Sequence, residues 1–293
     1  MPVRHKWAVF FIHIAMDWQL IVPNERGWRE AGLQEAWEVR LRVGQGAEVI
    51  GPAGAWQGSH LLTPAEVAQA AQALSGHSLA AHGRELKEGF LPLPGGHRLG
   101  VCGVAGPEGF REITSLCVRL AHQVKGVGDG VFSAVRGRHT LIIGPPGAGK
   151  TTLLRDLVRL YSLAGVQVAL ADSRGEIAAC REGRPQLDVG PRTDVLTGLE
   201  KAQALMLLIR SMGPQVAAAD EIGGEEDAKA LLDAIRCGVT VLTTAHGRSL
   251  EEARQRGGLS ALFREKAFEA FVVLENVGKQ PRVTLAKERE EPE

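Results

Sequence analysis

The stretch Gly144-Pro145-Pro146-Gly147-Ala148-Gly149-Lys150-Thr151 follows the spacing G-x-x-x-x-G-K-[ST], and Thr152 comes next. Those residue types in that order suit a triphosphate. The glycines let successive backbone N–H groups turn inward onto phosphate oxygens, the Lys150 ammonium offsets charge on the β- and γ-phosphates, and the Thr151 hydroxyl is a ligand for Mg²⁺. A glycine turn ahead of an ordinary helix would have a similar composition. It would not need an apolar strand just before it and an amphipathic helix just after it. Here both are predicted: residues 141–143 are apolar, and Leu153, Leu154, Leu157 and Val158 fall on one helical face. ATP with Mg²⁺ is therefore the expected ligand pair.

Hydrolysis asks for more than a grip: it needs an acid that holds the metal and a group that orients water. The run QVAAADEIGG supplies candidates, because a short buried strand over 216–219 would deliver Asp220 and Glu221 to the edge of a sheet. Asp220 is expected in the Mg²⁺ shell, and Glu221 is expected to polarise the attacking water. Two solvated acids opening a loop are the plain alternative. In ALADSRGEI, Asp172 and Glu176 either reach the water or the metal from a neighbouring strand, or cap and charge the start of a helix. TTAHG places Thr244 and His246 at another strand end, where the imidazole either senses the γ-phosphate or serves packing alone. A phosphoryl transition state also gathers charge that arginine offsets, often from a neighbouring subunit. Arg192 in GPRTDVL and Arg210 in LIRSMGP, each beside a turn, are the candidates, with simple surface solvation as the alternative for each.

These side chains need a scaffold that gathers strand ends. From residue 128 on, apolar runs at 141–143, 166–171, 216–219 and 239–243 end in polar residues and are followed by amphipathic helices, such as 228–236 with Ala228, Leu231, Leu232 and Ile235 on one face. That pattern predicts an open, parallel α/β sheet with its ligand beyond the carboxyl ends of the strands. The first half reads as a smaller α/β domain. Residues 37–44 alternate like a half-buried strand, AEVIGP ends at a turn, and Thr63-Pro64-Ala65-Glu66 predicts a capped helix with Val67, Ala70, Ala71 and Leu74 inward. Residues from Gly95 suggest two short strands around glycine-rich turns, and KGVGDG at 125–130 suggests a linker, giving domains at 1–127 and 128–293.

With 293 residues and 44% hydrophobic side chains, the chain can bury two cores. Lys plus Arg (34) equals Asp plus Glu (34), and both halves are balanced, which argues against a nucleic-acid motor. The four cysteines form no Cys-x-x-Cys pair, which suits a reduced cytosolic protein with ordinary thiols. Basic residues before the apolar run at 7–12 imitate a signal peptide, but His13 and Asp17 interrupt it and no small-residue cleavage site follows. Roughly the first 18 residues receive no role.

Taken together, GFLPLPGGHRLGVCG, PPGAGKTTLLRDLVRLYS, DVGPRTDVL, KAQALMLLIRSMGPQV and DEIGGEEDAKALLDAIRCGVTVLTTAHG resemble the stage III sporulation protein AA family. These are cytosolic ATPases of endospore-forming bacteria, similar to the motor ATPases of type II and type IV secretion systems. The resemblance covers roughly residues 37–274 in order. It implies an N-terminal α/β domain followed by a RecA-like P-loop ATPase core, a homohexameric ring with ATP between subunits, and integral membrane partners at the channel between mother cell and forespore. The protein would then lie in the mother-cell cytoplasm, peripheral to the membrane through those partners. By the same resemblance Lys150 and Thr151 match the Walker A motif, Asp220 and Glu221 Walker B, His246 the histidine box, and Asp172 and Glu176 the acidic box. Two positions depart from the family pattern: Ser173 stands where an acid is expected, which shifts the catalytic base toward Glu221, and Ala80 replaces an aromatic in Ser78-Leu79-Ala80. The expected function is an ATP-hydrolysing secretion-type motor, with an ATP-dependent assembly switch of little mechanical turnover as the alternative.

Overall fold

The computed structural model describes residues 9–10, 18–21, 27, 33, 35–76, 90–106, 109–275 and 282–285. Ser78-Leu79-Ala80 and most of the N-terminal apolar run lie outside the described residues. Contacts divide the chain at Gln123/Val124 into two units, each with its own core.

The first unit is built on a six-stranded sheet. Its strands are β1 (Glu38–Arg42), β2 (Glu48–Gly51), β3 (Gly54–Gln57), β4 (Leu91–Pro92), β5 (Arg98–Gly106) and β6 (Gly109–Arg119), with α1 (Pro64–Leu74) between β3 and β4. All pairings are antiparallel, in the order β3-β2-β1-β6-β5-β4. Alternation does the placing: Val39 and Leu41 are buried opposite Val118 and Leu116, while Arg42 points outward to Glu48 at 2.6 Å. Helix α1 starts where the sequence predicts, with Thr63 and Glu66 forming a reciprocal capping box, and it buries Val67, Ala70, Ala71 and Leu74. The expected pair of short strands after Gly95 is instead a long hairpin of nine and eleven residues. Glycine inside β5 makes a bulge rather than an end. The register shifts at Cys102/Gly103, where a Cβ on Gly103 would come within 1.9 Å of the Glu112 carbonyl oxygen.

The segment expected to be a linker also ends early, because Asp129–Val135 forms helix α2. The cause is a buried acid that needs partners: Asp156 accepts from the Gly128 N–H at 2.8 Å and from Arg159 Nε at 2.8 Å.

The second unit carries a seven-stranded sheet, against four strands expected from the apolar runs. In chain order the elements after α2 are β7 (Thr140–Gly144), α3 (Lys150–Leu163), β8 (Val168–Ala171), β9 (Thr193–Leu196), α4 (Lys201–Met212), β10 (Val216–Ala219), α5 (Glu225–Arg236), β11 (Thr240–His246), α6 (Leu250–Arg254), α7 (Ser260–Arg264), β12 (Ala270–Val273) and β13 (Arg282–Leu285). The order is β9-β8-β10-β11-β7-β12-β13, parallel throughout except for the last pair. Six carboxyl ends therefore share one edge.

Successive strand residues serve two cores. Leu141, Ala169, Ala217 and Val241 meet Leu205, Leu208 and Leu231 from α4 and α5, whereas Ile142, Val168, Ala218 and Leu242 meet Leu154, Leu157, Val158 and Tyr161 from α3. Small side chains in β10 leave room for the helices that cover both faces. Truncating one such leucine costs about 2–5 kcal/mol, a large part of a typical stability of about 5–15 kcal/mol, so the strand edge that carries the site rests on this packing.

Candidate functional site

The loop between β7 and α3 holds the phosphate-binding spacing. Gly147 (φ +75°) and Gly149 (φ +92°) both adopt left-handed backbone, which a side chain would oppose. Gly149 is the N-cap of α3, and no side chain caps the helix start. A fourteen-residue helix thus presents its positive end and its first N–H groups to the loop, the arrangement that receives an anion.

Lys150, the first residue of α3, is buried and turns back into the loop. Its Nζ donates to the carbonyls of Gly144 (2.9 Å) and Pro145 (3.0 Å) and to His246 Nδ1 (3.1 Å). Burial pushes the Lys150 pKa down, Glu221 and Asp220 oppose that, and Arg256 adds to it. Strand register explains the histidine. β11 runs on past Thr243 and pairs His246 with Gly144, so the imidazole ends at the mouth of the loop. A lysine can only donate, so Nδ1 accepts, which leaves Nε2 to face Glu221 Oε1 at 2.9 Å.

One strand over, β10 ends in the acids. Ala219 pairs with Thr243, which sets Asp220 beside Thr244. Asp220 Oδ1 accepts from the Thr244 hydroxyl at 2.7 Å, and Oδ2 accepts from the Thr151 hydroxyl at 3.1 Å. A hydroxyl and a carboxylate, both hard oxygen donors, converge there, and such a donor set fits Mg²⁺. Glu221 follows in left-handed backbone, φ +28°, with its N–H directed to Asp220 Oδ1 and Thr244 Oγ1, both at 2.9 Å. Its second carboxylate oxygen faces Arg174 NH1 at 3.2 Å. The result is one line of groups, Lys150, His246, Glu221 and Arg174, along the carboxyl edge.

Asp172 stands apart from that line. Its strand β8 pairs with β10, so it sits beside Asp220, yet it is only 1% exposed and its oxygens accept the N–H groups of Glu176, Ile177 and Ala178 at 2.9–3.2 Å. It anchors the turn after β8, and no helix begins there. Glu176 lies on that turn, with its carbonyl oxygen 2.6 Å from Arg155 NH2.

Residues 26–291 match the family described as Sporulation stage III, protein AA. The chain belongs to the sporulation stage III protein AA family. Among curated relatives, Stage III sporulation protein AA of Bacillus subtilis (strain 168) is 39% identical over 258 residues, covering 81% of this chain and 81% of that protein. Among solved structures, the Legionella pneumophila ATPase DotB superposes with a TM-score of 0.58 at 16% identity, over 81% of this chain and 72% of that one. The pilus retraction motor PilT with bound ADP gives 0.59 at 16% identity, over 89% and 82%. At such identity the likeness concerns the fold, and it is that of secretion-type P-loop ATPases: a RecA-like parallel sheet with a smaller α/β domain before it.

In this member of the sporulation stage III protein AA family, Arg192 and Arg210 do not join the site. Arg192 precedes β9, with its N–H bonded to Ser162 Oγ at 2.7 Å and its carbonyl to the first residue of β8 at 2.9 Å, and Arg210 lies in the last turn of α4, just before β10. Both therefore sit at the amino ends of the strands, opposite Lys150. For Arg210 the reason is topological: a helix that leaves the carboxyl edge returns to the amino edge. The cations that do gather at the site are Arg174, Lys201, whose Nζ bonds the Glu221 carbonyl, and Arg256. Arg155 lies beneath, buried, donating to the carbonyls of Glu176 and Ile177. Sequence reading singled out none of the four: Arg174 stands three residues past the end of β8, Arg155 one turn into α3, and Lys201 and Arg256 come from segments distant in the chain.

Proposed function

We propose that this protein hydrolyses ATP and that hydrolysis drives a secretion-type ring motor at the channel between mother cell and forespore. The observation that supports this best is the line of contacts from Lys150 through His246 to Glu221. It ties a phosphate-gripping cation to a carboxylate suited to water activation. In this reading the loop from Gly144 to Gly149 and the start of α3, including Thr152, wrap the phosphates, and Lys150 neutralises the β- and γ-oxygens. Glu221 accepts a proton from the water as its oxygen bonds the γ-phosphorus, the bond to the bridging oxygen breaks, and ADP and phosphate leave. His246 holds the Glu221 carboxylate in place. Thr151 and Asp220 would hold Mg²⁺, which when bound neutralises phosphate charge.

The same reading makes the assembly a homohexamer working from the mother-cell cytoplasm on integral membrane proteins of the sporulation channel. No helix among the described residues is long and apolar enough to cross a membrane, so contact with the bilayer would run through those partners. Phosphate release from ATP tests the chemistry. Wild type should turn over with Mg²⁺; Lys150→Ala should lose nucleotide binding in titration calorimetry; Glu221→Gln should keep binding and lose about 10²–10⁴-fold in kcat. Unchanged turnover in Glu221→Gln would sink the assignment of the base. Very slow turnover in wild type, with or without partners, would favour an ATP-dependent assembly switch.

A further inference from the structure

Lys201 occupies a position that helix physics disfavours. It is the first residue of α4, where the positive end of the helix macrodipole repels a cation; the first turn holds no acidic residue, and Glu200 at the N-cap makes no side-chain cap bond. Its side chain is nonetheless largely buried, 14% exposed, and reaches across to the turn after β10. There Nζ donates to the Glu221 carbonyl oxygen and lies 3.7 Å from Asp227 Oδ2, and the same Asp227 oxygen accepts the Gly223 N–H at 3.2 Å. The turn that carries Glu221 is thereby gripped at the carbonyl of one residue and the amide of the next but one. Glu221 is also one of few non-glycine residues among those described with positive φ. Such a conformation persists only when its surroundings over-determine it. Its N–H is held by Asp220 and Thr244; its carbonyl is held by Lys201.

We infer that Lys201 is a positioning residue for ATP hydrolysis, clamping the Glu221 peptide in its left-handed conformation together with Asp227 so that the carboxylate stays aligned along the line to His246. The inference rests on the proposed hydrolytic role of Glu221. A cation at a helix start with no acid in the first turn is the kind of departure that function imposes.

Two measurements test it. In steady-state kinetics Lys201→Met should lower kcat by about 100-fold, the loss that a small misplacement of a reacting group produces, while nucleotide affinity stays within twofold of wild type; Lys201→Arg, which keeps a charged donor, should recover much of the rate. Equal losses in kcat and affinity, or full activity in Lys201→Met, would overturn the clamp. An inactive wild type would instead overturn the hydrolytic reading and leave the second measurement to judge the clamp. That measurement is a thermal-unfolding cycle: the Tm drop caused by Lys201→Met should persist in a Glu221→Ala background and shrink in Glu221→Gly, because glycine adopts positive φ without being held. An equal drop in both backgrounds would refute the inference. Should Lys201→Met not fold, Lys201→Gln carries both measurements with the same outcomes.

Discussion

A single imidazole separates the lysine suited to grip phosphate from the acid suited to activate water, and that economy leaves little freedom to either. Lys150, His246 and Glu221 are linked at 3.1 Å and 2.9 Å, so a shift in one is felt by the others. Asp172, by contrast, looks in sequence like a second candidate base but spends its oxygens on three backbone N–H groups. Burial pushes its pKa up, the three hydrogen bonds oppose that, and the neighbouring Asp220 charge adds to the rise. The anchor role makes a definite demand. Asp172→Ala should destabilise the fold by about 1–3 kcal/mol, because the N–H groups of the turn lose their acceptor in a buried place. Urea unfolding measures this; a variant of unchanged stability with abolished turnover would return Asp172 to the role of base.

Elements show where sequence reading succeeds and where it stops. The capped helix from Pro64, the alternating strand around Val39 and Leu41, and the strand that ends at Ala219 were legible, because cap, period and burial all agree locally. Strand β12 and the pairing of β11 with β7 were not, since a four-residue apolar run gains its meaning only from the neighbour it meets. Lys201 and Arg155 were invisible as site residues for the same reason: each meets its target some 20 residues away in sequence. The first unit hides a comparable case. His97, between β4 and β5, accepts the Ala121 N–H at 2.8 Å through Nδ1, while its buried Nε2 has no partner among the described residues. Burial, with His122 nearby, brings its pKa from 6.5 down to about 4. The unfolded chain then binds a proton that the folded one does not, so the stability from neutral His97 is complete above pH 6.5 and is lost as pH falls through 4. The difference amounts to about 3 kcal/mol. Urea midpoints across that range, followed by tryptophan fluorescence to which Trp37 and Trp56 contribute, should fall in wild type and flatten in His97→Asn, which keeps an acceptor for Ala121; parallel curves would place the acid sensitivity elsewhere.

If the proposed ring motor holds, the whole molecule must reconcile a site that is nearly complete within one chain with work shared between chains. One subunit already gathers the phosphate loop, the Thr151 and Asp220 oxygens, Glu221 and Arg174 on a single strand edge. Arg192 and Arg210 lie at the other edge, so if either acts on a phosphate, it acts on a neighbour's. Net charge offers no help in bringing neighbours together, since 34 basic residues balance 34 acidic ones, and association has to rest on local complementarity. The decisive property is then cooperativity, which mixing exposes without knowledge of the interface. Glu221→Gln subunits should still bind ATP and enter rings, yet contribute no turnover. If hydrolysis passes around a six-membered ring and one dead site stops it, an equal mixture retains about 2% of wild-type activity, the chance that six random subunits are all active. If subunits work alone, it retains about half. A titration of phosphate release against the Glu221→Gln fraction separates a steep curve from a straight line, and the straight line would show that the catalytic edge needs no neighbour and that the ring motor is the wrong picture of how this fold is used.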